Sequence, residues 1–312
     1  MGALERLLML RRTLLYFSNN RQLRRWMENS PLSRRLTARF IAGSTLADGI
    51  RVLEQLASER ISGTLDFLGE NVTSLTEAAR SKDCYLAALS EIERAGLPAT
   101  VSIKLTQFGL DFSEDACRNN VAALVQLASE MNSRVEIDME SSEYTDRTLE
   151  LVTRLQDQFG GYVRAVIQAY LYRSEADIRA LSARNVPVRL CKGAYREPPN
   201  VAFPQRSEVD QNYVRLMKLL LDQGAYPAIA SHDERIIREA LRHIREQKIG
   251  PDRFEFQMLY GIRRDLQREL VAQGFQLRLY VPYGDAWYPY FMRRLAERPA
   301  NLLFLAKNLL RK

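Results

Sequence analysis

The chain has 312 residues, 46% of them hydrophobic and 27% charged, which excludes a disordered chain and a mini-protein that depends on disulfide or metal staples. Its 3 cysteines are widely spaced and form no CxxC pair, so we expect neither a disulfide framework nor a zinc site, and a reducing compartment is the default. The formal net charge of +7 favours an anionic partner, and the positions of the basic residues decide which kind.

The first 60 residues are predicted to form a helical extension. No segment reaches the roughly 18–20 consecutive apolar residues that a membrane-spanning helix needs. Glu5, Arg11 and Arg12 interrupt the apolar residues near the N-terminus, and this pattern predicts an amphipathic helix rather than a signal peptide. Another helix is predicted from Thr45 to Glu59, behind the Gly43-Ser44 break. We expect a cytoplasmic protein, with peripheral contact at the inner face of the membrane as a further expectation.

After Gly63, short β-branched apolar runs alternate with longer helical runs. About eight strands are predicted, at Thr64–Leu68, Thr100–Leu105, Arg134–Met139, Val163–Ala169, Val186–Cys191, Pro227–Ser231, Phe254–Leu259 and Gln276–Val281. The helices predicted between them are Ser74–Ala95, Glu114–Met131, Thr145–Gln158, Glu175–Ala183, Val209–Gln223, Glu234–Glu246 and Ile262–Ala272. Ser113, Ser174 and Asp233 are predicted helix caps. This alternation implies parallel strands joined by crossovers, and the strand count favours a (β/α)8 barrel over an open doubly wound sheet.

The chain is therefore divided into two parts: an N-terminal helical extension, residues 1–60, and an α/β catalytic domain, residues 61–312, that forms a (β/α)8 TIM-type barrel and includes the C-terminal helices. No GxGxxG follows a strand and no GxxxxGK[ST] occurs, so a nucleotide would be held by loops at the strand ends. There is no HExxH and no GxSxG, and with only His232 and His243 no metal site is assigned.

Polar or ionisable residues end nearly every predicted strand, at positions where apolar residues would suit a core better. They are Lys104, Asp138, Glu140, Gln168, Arg189, Lys192, Ser231, His232, Gln257 and Tyr280. Any one of them alone is more often a solvated loop residue, a satisfied core amide or a structural ion pair. In a barrel the C-terminal strand ends meet in one mouth, and burying many polar groups there is costly unless each has a partner. The set therefore indicates a polar ligand or cofactor in the mouth.

A second group of residues lies on a helix predicted to begin near Asp285. Arg293 and Arg294 are adjacent, Glu297 is four residues after the first of them, and Tyr290 is four residues before the second. Guanidinium groups bind carboxylates through two parallel hydrogen bonds, which lysine cannot do, so the arginine pair suits a small carboxylate substrate. A solvated basic helix face is the alternative interpretation.

Five segments together carry a more specific signal. They are S-I-K-L at 102–105, I-D at 137–138, R-L-C-K-G-A-Y at 189–195, E-F-Q-M-L-Y-G at 255–261, and Y-V-P-Y-G at 280–284 followed by Y-x-x-R-R-x-x-E at 290–297. In this order they resemble segments of the proline dehydrogenases, and the resemblance runs from about residue 60 to the C-terminus. The chain is similar to the short monofunctional bacterial form of that family.

The resemblance implies a distorted (β/α)8 barrel with FAD across its C-terminal mouth. The implied activity is the oxidation of L-proline to Δ1-pyrroline-5-carboxylate by hydride transfer to N5 of FAD, with electrons passing to a membrane quinone. This reaction is the first step of proline catabolism to glutamate. The resemblance does not give the oligomeric state or the base that takes the proton of the proline amine.

Residue roles also follow from the resemblance. Asp138 and Arg189 are assigned to catalysis, with Arg189 beside flavin N5, where a cation would stabilise the negative charge of the reduced flavin. The residues assigned to proline are Lys104, Leu259, Tyr280, Tyr290, Arg293, Arg294 and Glu297. The residues assigned to FAD are Met139, Gln168, Arg189, Lys192, Gly193, Ala194, Arg206, Ser231 and His232. Tyr195 and Tyr260 are further candidates for the proline pocket.

Two other classes of function stay open. A flavin barrel with another substrate, as in methylenetetrahydrofolate reductase, fits the paired arginines and the tyrosine-rich pocket less well than a small amino acid does. A non-enzymatic basic module would use the net charge for nucleic acid or membrane. Several basic residues are already assigned to anionic proline and FAD, so no nucleic-acid partner is expected. The remaining basic residues lie largely toward the N-terminus and beside a leucine-rich tail at 302–310, and they suit an acidic membrane surface.

Overall fold

Eight parallel strands form a closed barrel in which each strand pairs with the next along the chain and the last pairs with the first. The structure is a computed structural model that describes residue 37, residues 39–69 and residues 72–297, with side chains up to residue 292. The strands are β1 (Ser62–Phe67), β2 (Ala99–Ile103), β3 (Val135–Ile137), β4 (Val163–Gln168), β5 (Val188–Cys191), β6 (Ala228–Ala230), β7 (Glu255–Leu259) and β8 (Leu277–Tyr283). The helices are α1 (Leu46–Ser58), α2 (Leu75–Arg94), α3 (Glu114–Glu130), α4 (Thr145–Phe159), α5 (Ser174–Ala183), α6 (Arg206–Gln223), α7 (Glu234–Glu246), α8 (Arg264–Ala272) and α9 (Trp287–Glu297). The predicted (β/α)8 barrel is confirmed.

Two of the three predicted helix caps are confirmed and one is wrong. Ser113 Oγ accepts the N–H of Ala116 at 3.2 Å, and Asp233 Oδ1 accepts the N–H of Arg235 at 3.1 Å. Ser174 instead is the first residue of α5, and its fully buried hydroxyl donates to the carbonyl oxygen of Gln168 at 2.6 Å. Because Ser174 faces the barrel wall, it joins α5 to the end of β4 rather than capping the helix.

Several element boundaries differ from the prediction for local reasons. β6 begins one residue late because Pro227 has no N–H to donate to the sheet. α8 begins at Arg264 because Arg263 adopts a left-handed backbone, with φ of +57°. α6 begins three residues early, at Arg206, where Gln205 and Glu208 form a capping box. β8 continues beyond the predicted end at Val281 to Tyr283.

The two faces of the strands differ in chemistry. Successive strand residues point to opposite sides, so residues such as Leu65, Val101 and Ile137 face the helices and form the main apolar core with them. The inward positions carry charge where (β/α)8 barrels usually carry branched apolar residues: Glu136, Arg164, Arg189, Glu255 and Arg278. The apolar core therefore lies outside the strands, and the barrel interior is ionic.

A second apolar cluster covers part of the barrel mouth. Trp287, Tyr288, Tyr290, Phe291 and Met292 of α9 pack there against residues 40–41, 68 and 262. Among the described residues, no helix is long and apolar enough to cross a membrane. The predicted helix at the N-terminus and the leucine-rich tail at 302–310 lie outside the described residues, and the division at residue 60 stays a prediction.

Candidate active site

Arg189 lies on β5 near the barrel mouth and is only 5% exposed. Its Nη2 donates to Asp138 Oδ1 and, at 3.1 Å, to Ser102 Oγ. Its Nη1 lies 3.1 Å from Glu136 Oε2 and donates to Gln257 Oε1 at 3.4 Å. Each terminal nitrogen is thus held by one carboxylate and one neutral oxygen, which fixes the plane of the guanidinium group.

Asp138 joins Arg189 to Tyr280 of β8. Tyr280 Oη donates to Asp138 Oδ2 at 2.9 Å, and the Arg189 guanidinium carbon lies 5.4 Å from the centre of the Tyr280 ring, a cation–π distance. Burial raises the pKa of Tyr280 well above its usual value, and the carboxylate of Asp66 raises it further. The phenol therefore keeps its proton and remains a hydrogen-bond donor.

Lys104 adds a second cation beside Asp138. Its Nζ lies 3.5 Å from Asp66 Oδ1 and 4.0 Å from Asp138 Oδ2. Two cations thus alternate with two carboxylates, and their formal charges cancel. We name Asp66, Lys104, Asp138, Arg189 and Tyr280 the Arg189 cluster. The structure brings four of the predicted site residues together in it, from four different strands or strand ends.

Below this cluster, the barrel interior holds four more charged side chains, Glu136, Arg164, Glu255 and Arg278, which we name the ionic column. Arg164 Nη1 lies 2.5 Å from Glu255 Oε1 and 3.3 Å from Glu136 Oε1, and all three side chains are at most 2% exposed. Arg278 Nε lies 3.1 Å from Glu255 Oε1. Burial alone would raise the pKa of Glu136, but the arginines at 164, 189 and 278 outweigh it and lower that pKa to about 2. The column is therefore fully ionised and formally neutral.

Lys192 lies between two carboxylates at the end of β5. Its Nζ is 2.5 Å from Asp210 Oδ1 and 3.0 Å from Asp233 Oδ2. Burial tends to raise the pKa of Asp233, but the hydrogen bond from Lys192 lowers it below its usual value. Ser231, also predicted in the site, is buried. Its Oγ accepts the N–H of Asp233, two residues further along the chain, at 3.1 Å.

Gln168, the last residue of β4, links two loops at the mouth. Its Nε2 donates to the carbonyl oxygens of Met139 and Glu140, at 3.3 and 2.7 Å, and its Oε1 accepts the N–H of Ala194 at 3.3 Å. Gly193 has a φ of +112°, and a Cβ there would lie 2.4 Å from the Tyr170 ring. The predicted residues Met139, Gln168, Gly193 and Ala194 are therefore neighbours, held in a tight backbone arrangement.

His232 and Leu259 are joined by one hydrogen bond. The N–H of Leu259 donates to His232 Nε2 at 2.8 Å, so the neutral imidazole carries its proton on Nδ1. Leu259 packs against the second apolar cluster, in which Tyr290 is 7% exposed. Arg293, Arg294 and Glu297 belong to α9, and their side chains lie outside the described part of the chain.

Arg206 is the first residue of α6, and its side chain is exposed rather than buried with the Arg189 cluster. Tyr195 is likewise exposed, at 41%. The structure therefore gathers Lys104, Asp138, Arg189 and Tyr280 into one network, whereas Arg206 stands at the surface.

Two buried carboxylates of this region were not predicted. Asp66 lies in the apolar run of β1 and Glu136 lies between two apolar residues of β3. The available signal was the same in both: an acidic residue inside a strand whose neighbours are apolar. An interior charge of this kind needs a cation from another strand, and Lys104, Arg164 and Arg189 supply it.

Residues 50–307 match the family described as Proline dehydrogenase. The chain is 39% identical over 305 residues to Proline dehydrogenase 1 of Bacillus subtilis, covering 97% of this chain and 100% of that protein. It is 41% identical over 280 residues to the Proline dehydrogenase of Deinococcus radiodurans, covering 88% and 90% of the two chains. Among solved structures, proline utilization A from Bdellovibrio bacteriovorus, inactivated by N-propargylglycine, matches with a TM-score of 0.79 at 27% identity, over 85% of this chain and 33% of that one.

Proposed function

The chain belongs to the proline dehydrogenase family and is an enzyme that oxidises proline, and from this premise we propose that it converts L-proline to Δ1-pyrroline-5-carboxylate at the barrel mouth, with FAD as hydride acceptor. The observation that carries the proposal is Arg189, a buried guanidinium fixed on both terminal nitrogens at the end of the barrel where such enzymes work. A cation fixed in advance stabilises negative charge that develops beside it. FAD, when bound, supplies the two-electron acceptor.

The donors around the mouth fit a flavin nucleotide. Arg189 would lie beside N5. The Nδ1 proton of His232 and the backbone around Gly193 would meet the flavin ring system or its ribityl chain. Lys192 and Arg206 would meet the diphosphate, the latter from the first turn of α6, where backbone N–H groups favour an anion. Because Lys192 already pairs with two carboxylates, a diphosphate would replace one of them as its partner. Met139, Gln168, Ala194 and Ser231 complete the residues that we assign to FAD.

Proline would be held on the side of the mouth that α9 covers. We assign Lys104, Arg293 and Arg294 to its carboxylate, with Glu297 orienting the arginines, and Leu259, Tyr280 and Tyr290 to its ring. The burial of Tyr290 against the cluster that Leu259 contacts supports this arrangement. Such positioning holds the donor carbon at the acceptor and lowers the barrier by fixing the reactants in advance. Asp138 would act by fixing the guanidinium of Arg189 and the phenol of Tyr280.

The electrons would pass from the flavin to a quinone in the membrane, and the product would continue to glutamate. The basic residues of the N-terminal extension support transient contact with an acidic membrane surface at the cytoplasmic side. Flotation of the protein with vesicles of anionic and of neutral lipid tests this contact, and equal flotation with both would refute it.

The proposed chemistry is tested by the absorbance of the purified protein. We expect flavin bands that bleach when L-proline is added without oxygen, and no bleaching with methyltetrahydrofolate, the folate that could donate electrons to a flavin. Arg293→Ala and Arg294→Ala should raise KM for proline greatly and leave the flavin content unchanged. Arg179→Ala, on the exposed face of α5, is the matched control and should change neither quantity. A colourless protein that takes up no added FAD would refute the proposal.

A further inference from the structure

The ionic column ends directly beneath Arg189, where Glu136 contacts the guanidinium group. The proposed chemistry gives Glu136 no role, and this contact suggests one. We propose that Glu136 is a positioning residue, whose carboxylate holds the Arg189 guanidinium from inside the barrel, while Asp138 holds it from the mouth. The inference rests on the proposed function, in which Arg189 lies beside the flavin. It adds a residue from the barrel interior to the machinery at the mouth.

The two oxygens of Glu136 contact different arginines and share the amide nitrogen of Gln257, which donates to Oε1 at 3.4 Å and to Oε2 at 3.2 Å. Oε1 accepts the hydroxyls of Thr100 at 3.0 Å and Thr64 at 3.2 Å and lies 3.3 Å from Arg164 Nη1. Oε2 lies 3.1 Å from Arg189 Nη1. Because Oε1 is braced on three sides, the carboxylate cannot rotate freely, and Oε2 stays aimed at the guanidinium. The side chain is completely buried, so water does not compete for either oxygen.

The formal charges show why this contact is needed. The ionic column has two carboxylates and two guanidinium groups, and Arg189 is balanced separately by Asp138. With Glu136 present, each terminal nitrogen of Arg189 contacts one carboxylate: Nη1 contacts Glu136 and Nη2 contacts Asp138. Without its charge, Nη1 would retain only the amide oxygen of Gln257, at 3.4 Å, and the guanidinium would be drawn toward Asp138. The barrel would also carry one unbalanced positive charge below the flavin.

Glu255 provides the matched control. It is buried like Glu136, both pair with Arg164, and both accept from Gln257 Nε2. Among the described contacts, however, Glu255 makes none with Arg189. Damage to the ionic column as a structural unit should therefore affect Glu136→Gln and Glu255→Gln alike, whereas loss of Arg189 positioning should affect Glu136→Gln alone.

The test compares flavin-loaded wild type, E136Q, E136D and E255Q in kcat and KM for proline, the reduction potential of the bound flavin, and Tm. We expect E136Q to lose about tenfold to a hundredfold in kcat, the effect of losing one buried contact between charged groups, with KM little changed. Its flavin potential should shift to more positive values, and by more than in E255Q. E136D keeps the charge and shortens the reach, so its potential should stay near that of the wild type while kcat falls by less than in E136Q. E255Q should lower Tm and leave kcat within about threefold of the wild type.

Equal losses of kcat in E136Q and E255Q, or an unshifted flavin potential in E136Q, would overturn the inference and leave the proposed function intact. If E136Q does not fold, E136D decides: a lower kcat at unchanged KM and Tm supports the positioning role, and an unchanged kcat overturns it. A wild-type protein that takes up no flavin would overturn the proposed function and, with it, this inference.

Discussion

Replacing Arg189 by lysine keeps a positive charge at the barrel mouth and removes the planar group that reaches two carboxylates at once. The guanidinium holds Glu136 and Ser102 at 3.1 Å, besides its contacts with Asp138 and Gln257. A single ammonium group can pair with only one of the two carboxylates. The variant therefore loses one charge-assisted hydrogen bond, about 1.5–3 kcal/mol, and one neutral bond of about 1 kcal/mol. We expect the free energy of unfolding to fall by about 3 kcal/mol in total.

Urea unfolding followed by circular dichroism measures this loss, and the slope of the transition should not change. Arg179→Lys is the control, since Arg179 forms an exposed ion pair with Glu175 on α5, and such pairs contribute little. A free energy of unfolding within about 1 kcal/mol of the wild type in Arg189→Lys would refute the reasoning that two-sided binding of the guanidinium stabilises the barrel. The same outcome would leave the role of Arg189 in proline oxidation to be judged from kcat alone.

Three further predictions concern single contacts. The pKa of Glu136 is about 2 in the folded protein and ~4.3 in the unfolded chain. The ionised carboxylate therefore stabilises the fold fully at a pH above the unfolded value, and this stabilisation is lost as the pH falls toward 2. The unfolding free energy should therefore drop across this window, and less steeply in Glu136→Gln. Ser174→Ala should lose about 1 kcal/mol through its hydrogen bond to the end of β4, whereas Ser182→Ala should lose nothing, since Ser182 Oγ has no hydrogen-bond partner among the residues that the structure describes. Gly193→Ala should lower Tm much more than Gly274→Ala, because a Cβ at 193 meets an aromatic ring at 2.4 Å and one at 274 meets nothing within 4 Å.

The barrel could be predicted because each of its strands and helices has a pattern that depends on residues close together in the sequence. The alternation of β-branched runs with capped helices depends on neighbouring residues alone, and Ser113 and Asp233 cap their helices as expected. The error at Ser174 has a tertiary cause: the residue type suits a cap, but the packing of α5 on the barrel buries its hydroxyl beside the carbonyl oxygen of Gln168. Propensity does not carry that information.

The mouth was predictable in part for the same reason. Lys104 and Asp138 directly follow their strands, Arg189 and Tyr280 lie within the C-terminal parts of their predicted strands, and any parallel barrel brings these parts together. Glu136 could not be paired with Arg164 and Arg189 in advance, because those contacts depend on the strand register, which decides which residues lie side by side in the barrel interior. A strand shifted by one position would present a different set, and the sequence alone does not fix that position.

The ionic lining of the barrel also limits which substitutions the barrel can accept. A barrel filled with leucine and valine accepts many single substitutions, since one apolar side chain replaces another with a modest change in volume. Here Glu136, Arg164, Glu255 and Arg278 come from four strands and neutralise one another in the buried interior. Exchange of one of them leaves a buried charge unmatched, so related sequences should replace these residues together or keep all four. The same mutual dependence makes the lining a check on strand register, because a slip of one residue in β3, β4 or β7 would turn its charge toward the apolar helices.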